Sequence, residues 1–191
     1  MSWDGDHVLR VLVVCTANQC RSPMAERLLH RSLHQAGIEA SVGSAGFLPG
    51  GKPAADGAIA ALDRLGLDLS DHRSRAIDRT LLEEADFTIT MEGSHVIDIV
   101  TSWTDHSDRV LTLRDAVDGA ASLATTNLRG PDDVREWARY LHASAGSSVF
   151  DWHRDVSDPM GRSRRAFRAT AKELDGLLTT VVDALASGTT G

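Results

Sequence analysis

The chain has 191 residues, 42% of them hydrophobic and 25% charged, with a formal net charge of −7. Residues 1–191 suit one domain with a core of its own, and the acidic balance excludes the basic excess of a general nucleic-acid binder. Two cysteines, Cys15 and Cys20, exclude a disulfide scaffold and offer no CxxC metal spacing, which fits a reducing compartment.

The opening MSWDGDH is acidic and polar, unlike a secretory signal, and no stretch is long enough to span a bilayer. The expected location is the cytoplasm, with neither membrane nor nucleic acid as partner. Residues 1–6 and 187–191 are expected to be loose tails. Val8 to Val14, interrupted only by Arg10, reads as a central parallel strand covered on both faces. It stops at Cys15. After Cys15, Thr16, Ala17, Asn18, Gln19 and Cys20 lead to Arg21-Ser22-Pro23, and from Ser22, an N-cap type, the positions Ala25, Leu28, Leu29, Leu33 and Ala36 trace a helical face ending at Gly37.

A loop between strand end and helix start presents unpaired backbone N–H groups, a ready site for an anion. Those dipoles and the Arg21 charge both favour the thiolate of Cys15, the competent nucleophile. Arg21 offers a planar fork able to hold two oxygens of a tetrahedral oxyanion. Residues Thr16 to Ser22 therefore read as a phosphate cradle with its own nucleophile. Cys20 lies in the same loop, either as a passive buried thiol or as the partner that captures oxidised Cys15 in a reversible disulfide. The pattern resembles the low-molecular-weight protein tyrosine phosphatases, whose loop reads much like C-T-G-N-x-C-R-S-P-M-A-E. Ala17 stands where that family usually has Gly, and its methyl group would obstruct a backbone conformation with positive φ.

Ile38 to Ser44 is expected as the second strand, leading to Ser44-Ala45-Gly46, similar to the family's SAG. Phe47 to Pro53 reads as an irregular loop at the carboxyl end of a strand, where open α/β sheets bind ligands; Phe47 and Leu48 either line a substrate cleft or close the core. A helix over Asp56 to Leu65, stopped by Gly66, precedes LDLSDHRSRAID, which is similar to another family stretch. The resemblance implies that His72, Asn18, Ser22 and Ser44 hold the loop in shape. A short helix over Leu81–Ala85, a strand over Asp86–Met91, a helix over Ser94–Val100 and a strand over Arg109–Leu113 continue the alternation. Met91-Glu92 with His95 matches the family's T-M-(D/E)-x-x-H, with His95 expected to pack or cap.

The fold class expected is therefore α/β, three layers with about four parallel strands between helices. Residues 115–151 are harder to read: Ala120 to Gly130 is loop-like, Asp132 to His142 suits a helix begun by Pro131, and the whole is expected as an insertion at the domain edge. Next, Asp158-Pro159 resembles the family's D-P, in which the Asp is the general acid, a group whose proton typically speeds departure of a phenolate by about 10²–10⁴-fold. Met160 follows where many members carry an aromatic wall, which leaves strict phosphotyrosine preference open. Arg162 to Ala186 reads as a long closing helix. Arg162, Arg164, Arg165 and Arg168 in its first turns oppose the helix dipole; they are either a solvated face or an attractor for an acidic phosphoprotein.

These residues, with the resemblance, imply a phosphomonoester hydrolase acting on a phosphotyrosine protein or small aryl phosphate. Cys15 would be the nucleophile, Arg21 the oxyanion ligand and Asp158 the acid and then base, with no metal or cofactor required. The alternatives are an arsenate reductase of the same fold and a weakly active phosphate-binding module. A thioredoxin-linked reductase needs a further cysteine pair that this chain lacks; a glutathione relay is compatible with the count.

Overall fold

Side chains along β1 (Leu9–Cys15) alternate between two buried faces, as a central strand requires. Leu9, Val11, Val13 and Cys15 join one apolar cluster, and Leu12 and Val14 join the other. The computed structural model describes residues 8–144 and 150–188. In it β1 pairs in parallel with β2 (Ala40–Gly46) on one side and with β3 (Phe87–Thr90) on the other. Beyond β3 lies β4 (Val110–Thr112), giving the order β2-β1-β3-β4. The three-layer α/β expectation is met.

On one face lie α1 (Arg21–Gln35), α2 (Asp56–Asp63), α5 (Leu113–Asp118), α6 (Ala120–Ala124), α7 (Pro131–Ser144) and α8 (Arg164–Gly188). The other face is covered by α3 (Arg79–Glu84) and α4 (Gly93–Ser102). Because the chain leaves β1 for β2 and later returns to its other side as β3, the strand order reverses at β1. That switch point puts a crevice outside the carboxyl ends of β1 and β3, at Cys15 and Thr90.

Helix α1 starts at Arg21, so Ser22 lies within its first turn instead of capping it, and Pro23 sits where an N–H would have no intrahelical partner anyway. At the other end Gly37 takes φ 70° and Ile38 N–H bonds to Leu33 O at 2.9 Å, closing the helix as a left-handed glycine cap.

Two expectations need correction. Within the expected insertion 115–151, residues 120–130 are not all loop. Ala120–Ala124 is helical, and Leu123, Val134, Trp137 and Ala138 are buried in the main core. Trp137 packs edge-on against Phe87 of β3 with ring centroids 6.0 Å apart. The alanines and polar residues of the stretch hid this, since they carry little periodic signal. Residues 145–149 lie outside the described part. The expected tail 187–191 is also shorter: α8 runs to Gly188, whose carbonyl accepts the Leu128 N–H at 2.8 Å. Residues 1–6 and 189–191 lie outside the described residues.

Candidate active site

The loop from Cys15 to Ser22 turns tightly against the end of β2. An added Cβ on Gly46 would meet Asn18 N at 2.7 Å and Cys15 O at 2.9 Å, so only glycine fits. Asn18 takes φ 52°, the one positive-φ residue other than glycine among the described residues. Ala17 does not adopt that conformation, so the obstruction expected from its methyl group is absent.

Asn18 is completely buried and its side chain holds the turn. Its Nδ2 donates to Ser22 Oγ at 2.9 Å and Ser44 Oγ at 2.8 Å, and its Oδ1 accepts the Arg75 N–H at 2.9 Å. His72 Nε2 bonds to Asn18 O at 2.7 Å, and Ser44 Oγ donates to Glu26 Oε2 at 2.5 Å. Asn18, Ser22, Ser44 and His72 are thus brought into one network, with Glu26 and Arg75 as members that sequence reasoning missed. Ser22 Oγ lies 3.0 Å from Cys15 Sγ. No loop N–H from Ala17 to Ser22 has an acceptor among the described residues, so these donors are free to face an anion.

Arg21 is 2% exposed although it is a cation. Burial works against its charge, but the Glu92 hydrogen bond and the fields of Cys15, Asp158 and Glu92 outweigh it and raise its pKa. Its Nη1 binds Glu92 Oε1 and donates to Val156 O at 3.0 Å. Its Nη2 donates to Thr16 Oγ1 at 3.2 Å and Asp158 Oδ2 at 2.9 Å. Its Nε has no partner among the described residues, a buried donor left for an oxyanion. Cys15 is likewise 2% exposed and reduced. Burial pushes the Cys20 thiol up to about 12, helped by the charges of Asp158 and Cys15 and opposed by Arg21.

Glu92 is the ligand of Arg21 that sequence reasoning passed over; its signal was the acidic residue just beyond β3, on the same rim as Cys15. Burial pushes its carboxyl up, but Arg21 prevails and holds it below the usual carboxylate range. Burial depresses His95, with only partial compensation from Glu92. Its Nε2 meets Thr16 Oγ1 at 3.1 Å, and its ring stacks on Phe47 at 5.3 Å. Phe47 therefore packs against the smaller core beside the loop, whereas Leu48 and Met160 are exposed at 48% and 45%. Both Phe47 and Leu48 donate backbone N–H bonds to Thr16 O.

The segment carrying Asp158 is tied down at several points. Arg154 bridges Asp115 at 3.1 Å and Asp118 at 2.6 Å on α5. Asp155 accepts the Gly93 N–H at the start of α4, and the Val156 N–H donates to Met91 O, both at 2.9 Å. A thiol beneath free amide donors, with a buried guanidinium between it and a carboxyl group, belongs to the cysteine-dependent phosphatases as a class.

The comparisons name the family within that class. Residues 10–142 match the family model described as low molecular weight phosphotyrosine protein phosphatase. The protein-arginine-phosphatase of Bacillus subtilis (strain 168) is 31% identical over 170 residues, covering 88% of this chain and 91% of that protein. The low molecular weight protein-tyrosine-phosphatase Wzb of Salmonella typhi is 31% identical over 158 residues, covering 72% and 97%. Among solved structures, a YwlE mutant from Bacillus subtilis superposes with TM-score 0.70 at 29% identity, covering 92% of this chain and 97% of that one. The low molecular weight protein tyrosine phosphatase from T. tengcongensis gives 0.70 at 30%, covering 92% and 98%. The chain belongs to the low molecular weight phosphotyrosine protein phosphatase family, and is a cysteine-dependent phosphatase. Among the described residues no helix is long and apolar enough to cross a membrane.

Proposed function

We propose that the protein removes phosphate from phosphotyrosine side chains in two steps. Cys15 thiolate attacks phosphorus in line, forming the S–P bond as the P–O bond breaks, and Asp158 gives its proton to the leaving phenolate oxygen. Water then attacks the phosphocysteine, losing its proton to the ionised Asp158, and the thiolate leaves with Ser22 Oγ beside it. The loop amides, with Arg21 Nε and Nη2, hold the equatorial oxygens; this preorganised positive field replaces water that burial excludes. Glu92 and Val156 O fix Nη1 and so aim the fork.

The observation that carries this reading is the contact of Asp158 with Arg21 Nη2, on the same guanidinium whose Nε has no partner among the described residues. Hydrolysis of p-nitrophenyl phosphate, abolished in Cys15→Ser, tests the enzyme; a binding module would show no turnover. A phosphopeptide panel then tests the side chain preferred.

Phosphoarginine is the second candidate. The relative that matches 88% of this chain bears the name protein-arginine-phosphatase, and a solved relative is a YwlE arginine phosphatase with a phosphorylated active site serine. Met160, flexible where an aromatic wall would favour phosphotyrosine, agrees with it. Arsenate reduction has weaker support: an arsenate reductase of Halalkalibacterium halodurans is 35% identical over 100 residues, and Cys15 and Cys20 are the only cysteines here. The soluble surroundings expected of a phosphoprotein substrate point to the cytoplasm as its place of action.

A further inference from the structure

Immediately beyond Asp158 the chain makes a tight turn, fixed by Gly161 at φ 73° and by the Arg162 N–H bond to Pro159 O at 2.9 Å. The turn delivers Arg162, Arg164, Arg165 and Arg168 to the surface beside the acid. All four are exposed, as is Lys172 one turn further along α8. Among the described residues none of the four guanidiniums has a hydrogen-bond or ion-pair partner. Many of the other arginines are matched with acids, as Arg31 is with Asp175 and Arg114 with Glu173, and Arg73 and Arg75 bond to backbone carbonyls.

The location is unfavourable for folding. The first turn of α8 contains no acidic residue, so the cations meet the positive end of the helix dipole and one another. In a chain of net charge −7, the start of α8 is thus a local excess of exposed positive charge.

The same helix start also borders the phosphate loop through packing. Phe167 lies against Gly57 of α2, where an added Cβ would fall 2.5 Å from the ring. Ala55, just before α2, donates its N–H to Gln19 O of the loop at 2.8 Å. Asp56, beside Gly57 on α2, is exposed, Asp158 is held by Arg21, and Glu173 further along α8 is held by Arg114.

We infer that Arg162, Arg164, Arg165 and Arg168 form a docking surface for acidic residues that flank the phosphorylated side chain, so that the substrate is an acidic phosphorylated polypeptide segment. The inference rests on the phosphoprotein reading and specifies its substrate. Charge complementarity favours a peptide carrying several carboxylates, since each exposed pair contributes little alone and several together give both rate and preference.

The test compares kcat/KM for two peptides, in phosphotyrosine and phosphoarginine forms, whose flanking residues are either Asp and Glu or Ser and Gln. The wild type should favour the acidic peptide by about tenfold, less at high salt. Arg164→Glu/Arg165→Glu should abolish the preference while hydrolysis of p-nitrophenyl phosphate stays at its wild-type value and Tm holds or rises, since acids suit the positive end of the helix dipole. If that variant is unstable, Arg165→Gln/Arg168→Gln should abolish most of it. Equal kcat/KM for the two wild-type peptides, or a preference that survives both variants, overturns the docking surface alone. So does arginine-dependent binding to phosphatidylserine vesicles without any peptide preference. Turnover of p-nitrophenyl phosphate with no phosphopeptide hydrolysed overturns the phosphoprotein reading, and the docking surface with it.

Discussion

Asp158 Oδ2 accepts a hydrogen bond from Arg21 Nη2 at 2.9 Å, joining residues 137 positions apart. Both oxygens of Asp158 are engaged, since Oδ1 accepts the Met160 N–H at 2.9 Å. On the mechanism proposed above, an oxyanion that takes Nη2 would compete with this ion pair and free the carboxyl for the leaving group. Asp158→Asn should therefore lower kcat on phenyl phosphate by about 10²–10⁴-fold, and lower it less on p-nitrophenyl phosphate, whose phenolate departs with little help. Equal losses on the two substrates would count against Asp158 as the proton donor.

Glu92 pins the other side of the guanidinium. Glu92→Gln keeps a hydrogen-bond acceptor but removes the charge, so Arg21 turns more freely and the oxyanion is held less firmly. We expect a fall of about tenfold or more in kcat/KM, carried mainly by kcat, from steady-state kinetics.

Acid should weaken the fold through Glu92 and His95. Arg21 holds Glu92 below its unfolded value, so its contribution is present above about pH 4.3 and is lost as pH falls through the lower folded pKa. Burial also depresses His95, so below about pH 6.5 the unfolded chain takes up that proton first, and stability declines until pH reaches the folded pKa. Both effects make Tm fall with decreasing pH. In His95→Asn the fall between pH 6.5 and 5 should shrink, and in Glu92→Gln the fall below pH 4.5 should shrink, as followed by thermal melts.

The Cys20 thiol, pushed up to about 12, stays protonated at neutral pH. Iodoacetamide at pH 7 should label Cys15 and leave Cys20 unmodified, as read by peptide mass mapping. Peroxide should inactivate the wild type in a way that dithiothreitol reverses, and Cys20→Ala much less reversibly; capture by Cys20 should quicken as pH rises, because only its thiolate attacks. Equal recovery in both proteins would make Cys20 a packing residue.

Gly46 and Ala17 separate two kinds of backbone demand. Gly46→Ala forces a methyl group against Asn18 N and Cys15 O, and should destabilise by about 1–3 kcal/mol while distorting the loop enough to lose most activity. Ala17→Gly should change kcat/KM little, since Ala17 is not in the left-handed region. Urea melts and p-nitrophenyl phosphate kinetics on the pair of variants check this.

Much of this was legible from sequence because it is local. The run before Cys15, the C-x5-R-S spacing and the apolar stripe of α1 each announce themselves over a few residues, and Asp158-Pro159 could be matched by resemblance. What failed was non-local or weakly patterned. Glu92 meets Arg21 only because β3 lies beside β1, a neighbour relation that periodicity does not encode. Residues 113–144 are rich in alanine and polar groups, so their burial depends on α8 and Phe87, which the chain supplies from either side. The positive φ lies at Asn18 because its side chain is bonded on three sides, which makes that conformation tolerable at a residue other than glycine.

The anchoring of Arg154 and Asp155 has a temporal consequence. Cys15 and its loop come from between the first strand and helix, whereas Asp158 hangs from a strap that needs α4 and α5 already in place and leads directly into the final helix. During synthesis the thiol emerges long before Asp158, and the residues that shape its loop and aim Arg21, namely Ser44, His72, Arg75 and Glu92, emerge in between. Turnover becomes a late event, reached only when the last helix closes over the first.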